Sequence, residues 1–224
     1  VDDQRRAQSG LGASGSGLLL TVPILEQIRP IEGWLTDAEA DVLIAAAAHA
    51  CATFPPDHAI VEIGSYQGRS TVALSSVTAL LAPLVRVHAI DPHEGEVGAA
   101  DLGVDQTPAT LASFRENLVR AGVAEQVVVH RLRSYETDWK GPISLLLVDG
   151  LHDYENCARD FHHFRPYLAT GGLVAFHDYG AWPGVTSFVD PLLATPGFSR
   201  VAQGGSMILL RWSGAIETLD ERQR

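Results

Sequence analysis

Three scarcities narrow what this chain can do. It has two cysteines in 224 residues, Cys51 and Cys157, in segments that read as helical. They form no CxxC and no Cys/His spacing, so neither a disulfide framework nor a thiolate metal site is expected, and both read as buried thiols of a reducing cytoplasm. Positive charge is short as well: 16 Lys and Arg against 27 Asp and Glu leave a formal net charge of −11. An acidic surface repels a polyanion, so nucleic acid is not expected as a partner. The third scarcity is of long apolar runs. GLLLTVPIL (17–25) is too short to span a bilayer and contains Pro23. Arg5-Arg6 ahead of it is followed by no convincing small-residue cleavage site. The expectation is a cytoplasmic protein with no membrane partner.

What is present suits one sizeable α/β core: 46% hydrophobic and 19% charged residues over this length. Residues 1–17, rich in Gly, Ser and charge, read as a flexible arm, a candidate homodimer contact or a segment that orders on binding. Residues 18–224 read as one domain whose first part, 18–55, is helical and lid-forming. Within it, 36–52 is a helix with Thr36 as N-cap and Glu39 closing a capping box, ended by Pro55-Pro56.

From there, short apolar runs alternate with helical patterns. Strands are expected at 59–64, 85–91, 127–132, 143–149 and 171–178, and helices at 68–82, 110–123, 154–168 and near 184–194. Apolar runs without alternation are what a parallel sheet covered on both faces requires. The segment GFSRVAQGGSMILLRWS then reads as a hairpin turning at Gln203-Gly204-Gly205. The fold class is therefore α/β: a doubly wound, mostly parallel seven-stranded sheet with a C-terminal antiparallel hairpin.

VEIGSYQGRS (61–70) ends a strand and opens a helix, the context in which a glycine-rich turn holds a nucleotide-like ligand. A dinucleotide turn places a second glycine where this chain has Tyr66, so a pyrophosphate would meet a bulky side chain, which disfavours NAD and FAD. S-adenosylmethionine, a nucleoside without phosphate, fits better: Gly64 with Glu62 near it can accept from its ammonium group, Gly68 allows close packing at the helix start, and Asp91 is placed to accept from both ribose hydroxyls. Taken singly, the glycines are also an ordinary tight loop and Asp91 an ordinary helix cap.

Together, VEIGSYQGRSTVAL, VHAIDPH, LLLVDGLHDYE and GGLVAFHDY resemble the successive motifs of class I S-adenosylmethionine-dependent methyltransferases over about 59–212. The resemblance implies a Rossmann-like methyltransferase fold and a cofactor site that includes Glu62, Gly64, Ser65, Gly68, Ser70, Asp91 and Asp149. Ser134, which is equally a helix-capping serine, matches a position that often touches the adenine.

Asp149 and Asp178 end two successive strands, with His177 beside the second, and two close carboxylates suit a hard divalent cation such as Mg²⁺. Strand-ending aspartates are also common caps, and His177 is equally a hydrogen-bonded core residue. DGxHxYE with HDY one strand later resembles the metal-dependent sugar O-methyltransferases of natural-product pathways. That resemblance implies Asp149 and Asp178 as metal ligands and His152 as general base. Position 177 departs from it: an acid is usual there, and histidine as a third ligand would shift preference toward Mn²⁺, Co²⁺ or Zn²⁺. In such a site the ion orients and acidifies a hydroxyl, and an imidazole of ordinary pKa ~6.5 takes its proton.

Two segments, 92–108 and 20–35, are candidate lids; ordinary surface loops are the alternative. Tyr66, His93, Glu94, Tyr179 and Trp182 are the side chains expected at the acceptor, where aromatic rings stack on sugar faces or simply fill core. His162 and His163 are adjacent on a helix and read as structural. The acceptor is expected to be a small molecule or oligosaccharide. A catechol-type or other small-molecule O-methyltransferase, and a cofactor-binding module without turnover, are the rival functions. A base-modifying enzyme is a weaker third, since the N/D-P-P-Y/F/W run that holds a flipped base is missing.

Overall fold

The computed structural model describes residues 17–95, 101 and 103–214. The arm up to residue 16, and residues 96–100 and 102 of the long acidic loop, lie outside the described residues. Six helices are described: α1 (Gly17–Ile28), α2 (Asp37–Thr53), α3 (Arg69–Leu81), α4 (Leu111–Arg120), α5 (Tyr154–Phe164) and α6 (Pro183–Leu193). Seven strands are β1 (Ala59–Ile63), β2 (Val87–Ile90), β3 (Val127–His130), β4 (Ile143–Val148), β5 (Leu168–Phe176), β6 (Phe198–Gly204) and β7 (Met207–Trp212). They form one sheet in the order β3-β2-β1-β4-β5-β7-β6. Pairing is parallel from β3 to β5 and antiparallel for β5 with β7 and β7 with β6.

β1 and β4 are buried along their whole length, so their apolar runs serve both faces at once. Successive residues of a strand point to opposite faces. Leu145 and Leu147 accordingly join Ile28, Leu43 and Leu74 under α1, α2 and α3, while Leu146 and Val148 join Phe161, Phe164 and Phe188 under α5 and α6. The α2 capping box is formed: Thr36 Oγ1 accepts from Glu39 N, and Glu39 Oε2 accepts from Thr36 N. Both cysteines are free thiols, and burial pushes Cys157 up to about 12. Among the described residues no helix is long and apolar enough to cross a membrane.

Three local expectations are corrected. The segment 20–35 is not a lid as a whole: it contains α1, and Ile24, Leu25, Ile28, Ile31 and Leu35 are buried in the core with α2 and α3. The helix expected over 154–168 stops at Phe164, because Pro166 cannot donate; a 3-10 turn, Arg165–Tyr167, follows and β5 starts at Leu168. The hairpin turns at Gly205-Ser206 rather than 203–205, since Gly204 still pairs with Met207.

Candidate active site

β1 lies between β2 and β4, and the chain leaves β1 and β4 toward opposite faces of the sheet. That reversal opens a crevice beyond the carboxyl ends of the strands, where ligands of open α/β sheets bind. A cavity of about 660 Å³ fills it. Gly64, at the β1 exit, has φ 82° and packs so closely on the β4 exit that a Cβ there would lie 1.9 Å from the Asp149 carbonyl oxygen. Among the described residues three that are not glycine also adopt left-handed φ, Tyr66, His93 and Asp178, and all three line the cavity. Residues held in such conformations cluster at functional sites, which makes this crevice the candidate.

One end of the cavity is built around Asp91. Its Oδ2 accepts from Ser65 N (3.0 Å) and Tyr66 N (2.9 Å), and its Oδ1 from His93 N (2.7 Å), so the carboxylate ties the glycine-rich turn to the β2 exit. Gly64, Ser65, Ser70, Asp91, Ser134 and Asp149 all line the cavity. Ser65 Oγ and His93 Nε2 are buried there without a hydrogen-bond partner, which suits a polar ligand. His93 Nδ1 is 2.8 Å from Thr110 Oγ1, and burial lowers its pKa. Gly68 starts α3 with φ 89° and lets it approach Phe114, as its position predicts.

Glu62 is not at the cavity wall. It is fully buried, one oxygen accepting from Thr71 Oγ1 and the other unpartnered, and burial pushes its carboxyl up to about 8 against the opposing hydrogen bonds. Tyr179 is also outside: its hydroxyl donates to Asp190 (2.8 Å) and its ring packs on the core beneath α5 and α6. Tyr66, His93, Glu94 and Trp182 do line the cavity. Of the 20–35 segment, Glu32, Gly33, Trp34 and Leu35 reach it. Glu32 accepts from Tyr66 Oη and Gln67 Nε2, which clamps this loop to the glycine-rich turn and leaves Trp34 69% exposed.

The charged end joins β4 to β5. Donor atoms of Asp149, His152 and Asp178 lie within 4.8 Å of one another, so two carboxylates that could share a divalent cation stand beside one imidazole. His152 Nε2 is 2.9 Å from Asp178 Oδ2, its Nδ1 is 2.9 Å from Asp101 Oδ2, and its ring stacks on Trp182 at 4.6 Å. Burial works against the imidazolium, but Asp178, Asp101 and Asp149 outweigh it and raise the pKa of His152.

His177 is not part of that converging set. It is 5% exposed, with Nδ1 2.9 Å from Asp149 Oδ1 and 3.0 Å from Asp178 Oδ2, and it braces the two carboxylates from behind. Its Nε2 stands 3.4 Å from Glu39 Oε2, an ion-pair contact rather than a hydrogen bond. Burial opposes the charge, yet Asp149, Asp178 and Glu39 together hold His177 strongly cationic. Burial pushes Asp178 and Glu39 up, yet His152 and His177 hold Asp178, and His177, Thr36 and Ser206 hold Glu39, well below the usual carboxylate range.

Glu39, Asp101 and Asp160, which touch His177, His152 and Ser134 respectively, were missed by sequence reasoning. Glu39 carried only a capping signal, Asp101 lies in an acidic loop without a motif, and Asp160 sits on α5 with nothing in its neighbourhood to mark it.

The sequence family described as "Methyltransferase domain" matches residues 61–179, just over half of the chain. Solved structures show the same fold. The O-methyltransferase NovP aligns at TM-score 0.69 and 16% identity over 89% of this chain and 100% of that one. CalS11, described as a TDP-rhamnose 3'-O-methyltransferase, aligns at 0.56 and 20% over 90% and 96%. The S-adenosylhomocysteine-bound methyltransferase PaMTH1 of Podospora anserina aligns at 0.60 and 16% over 86% and 87%.

Proposed function

This chain belongs to the methyltransferase-domain family, and from that premise we propose that it carries a methyl group from S-adenosylmethionine to a hydroxyl of a sugar, oligosaccharide or glycosylated natural product, with a divalent metal assisting. The observation that carries this reading is the convergence of Asp149, His152 and Asp178 in the same cavity as the Gly64–Asp91 end. The likeness to CalS11, whose description names a sugar nucleotide, supports the sugar class.

In this reading the sulfonium would supply an activated methyl group, and a Mg²⁺ or Mn²⁺ held by Asp149 and Asp178 would lower the pKa of an acceptor hydroxyl. Asp149 and Asp178 would offer oxygens to the ion, and His177 Nδ1, in contact with both, fixes their spacing. His152 takes the hydroxyl proton at Nε2 and keeps its own at Nδ1 beside Asp101, so the imidazolium formed is flanked by two carboxylates. Asp91 and Ser134 hold the nucleoside. Orienting the hydroxyl in line with the methyl group supplies the entropic part of the rate.

The test is calorimetric titration of S-adenosylhomocysteine into the metal-free protein, then of Mn²⁺ and Mg²⁺ into wild type and Asp149→Ala, followed by turnover of sugar and catechol acceptors. Cofactor-product binding, a metal signal lost in Asp149→Ala and methylation of a sugar support the proposal. Binding of S-adenosylhomocysteine with no metal signal removes the ion and leaves His152 acting alone; turnover confined to catechols removes the sugar.

A further inference from the structure

Trp34 is the most exposed of the four tryptophans, 69% against 39% for Trp182 and 7% or less for Trp139 and Trp212. Its loop is nonetheless tied down. Ile31 and Leu35 on either side are buried, Glu32 accepts from Tyr66 Oη and Gln67 Nε2, and Arg69 donates to the Gly33 carbonyl. The indole lies 5.1 Å from the Tyr66 ring at 43°, and both side chains line the cavity. Tyr66 itself stands at φ 46°, a conformation that glycine adopts freely and a tyrosine only at a cost. Two unfavourable features, an indole left in water and a tyrosine in left-handed backbone, thus meet in one aromatic pair at the rim of the cavity.

An exposed ring on a fixed backbone offers contact area to a flat apolar group at small entropic cost. The charge beside it selects among such groups. Glu32 has a hydroxyl and an amide as its partners among the described residues, so its negative charge stands beside the pair without a cation. Of the arginines on the same loop and at the start of α3, Arg29 is paired with Asp37 and Arg69 is turned to the Gly33 carbonyl. A diphosphate brought here would meet a carboxylate, whereas a neutral ring would meet two aromatic side chains. We propose that Trp34 and Tyr66 form a stacking platform for the group that the acceptor sugar carries at its anomeric carbon. The acceptor is then a glycoside with a flat, uncharged, apolar aglycone rather than a free sugar or a nucleotide sugar. The proposal rests on the sugar reading given above and narrows it.

The experiment is calorimetry with S-adenosylhomocysteine bound, using naphthyl glycosides of glucose, galactose, xylose and rhamnose, the matching methyl glycosides and the matching nucleotide sugars. For whichever sugar binds, wild type is expected to hold the naphthyl glycoside about tenfold or more tightly than the methyl glycoside, the scale of one aromatic group buried and stacked, and the nucleotide sugar least. Trp34→Ala brings the naphthyl-to-methyl ratio toward one, and Trp34→Phe keeps most of it. Trp34 is exposed, so its loss leaves the core intact. Equal affinities in wild type, an unchanged ratio in Trp34→Ala, or a preference for the nucleotide sugar overturns the proposal. So does a fall in S-adenosylhomocysteine affinity in Trp34→Ala with the ratio kept, which would assign the ring to the cofactor. Binding of S-adenosylhomocysteine by wild type with no glycoside of any form bound is a separate failure, that of the sugar reading itself, and the platform falls with it.

Discussion

His152 Nε2 and Asp178 Oδ2 stand 2.9 Å apart, so the proposed base and a proposed metal ligand are in direct contact across the β4 and β5 exits. With Asp101 on its other nitrogen, His152 is more basic than a free imidazole. A general base works only when neutral, so turnover should rise with pH through an apparent pKa above 6.5, the ordinary value. Asp101→Asn removes one flanking charge without touching the proposed metal ligands, and should move that limb toward lower pH. The check is kcat against pH for both proteins. Superimposable acid limbs would remove Asp101 from the mechanism.

The contact between Glu39 and His177 joins α2 to the site. Glu39 Oε1 accepts from Ser206 N (2.8 Å) and Ser206 Oγ (2.7 Å), and Oε2 accepts from Thr36 N at 2.7 Å. Glu39→Ala would strip a buried imidazolium of one counter-charge and leave these donors unsatisfied. The expected cost is about 3–5 kcal/mol, the range for breaking a buried pair from one side. Urea unfolding measures it, and a loss under about 1 kcal/mol, the scale of an exposed pair, would show that His177 does not depend on Glu39.

These two contacts also show where sequence reading ends. The central strands were legible because β1 and β4 are apolar throughout, and Thr36 with Glu39 because a capping box spans three residues. Asp149, His152 and Asp178 were legible as strand-exit polar residues. Glu39 meeting Ser206 is a pairing across 167 residues, and no local pattern encodes it. α1 was legible only as part of a helical and lid-forming stretch, 18–55, with no bounds of its own, for a different reason. Pro23 lies inside the helix, where it withholds a hydrogen bond, and packing of Ile24, Leu25 and Ile28 overrides that local cost. Tyr179 was misplaced because β5 sets its neighbours but not the direction of its own side chain, which Asp190 decides.

Glu62 predicts how stability varies with pH. Its folded pKa is about 8 against an ordinary 4.5, because burial favours the neutral acid. The folded state therefore holds this proton more tightly than the unfolded chain does. That contribution is fully present below 4.5 and is lost as pH rises toward and through about 8. Glu62→Gln mimics the neutral form, so its melting temperature relative to wild type should climb between pH 5 and pH 8.5. Melting curves that differ by a constant offset across that range would mean that Glu62 is ionised in the fold.

Gly64 separates two costs that a single substitution usually mixes. At φ 82°, any side chain pays for left-handed backbone, and here its Cβ would also strike backbone atoms of Asp149, at 1.9 Å from the oxygen and 2.6 Å from the carbon. Gly122 has a similar φ, 70°, with nothing within 4 Å of an added Cβ. Gly122→Ala should therefore show the conformational cost alone, about 1–2 kcal/mol, with turnover unchanged. Gly64→Ala forces the β4 exit to move, and Asp149 with it, so turnover should fall by about 100-fold, the penalty of displacing reacting groups by roughly an ångström. Affinity for S-adenosylhomocysteine and for Mn²⁺ should fall together, since both ends of the cavity share that backbone. If Gly64→Ala kept wild-type turnover while losing only the stability that Gly122→Ala loses, the close approach of β1 and β4 would be a packing detail and not the frame of the site.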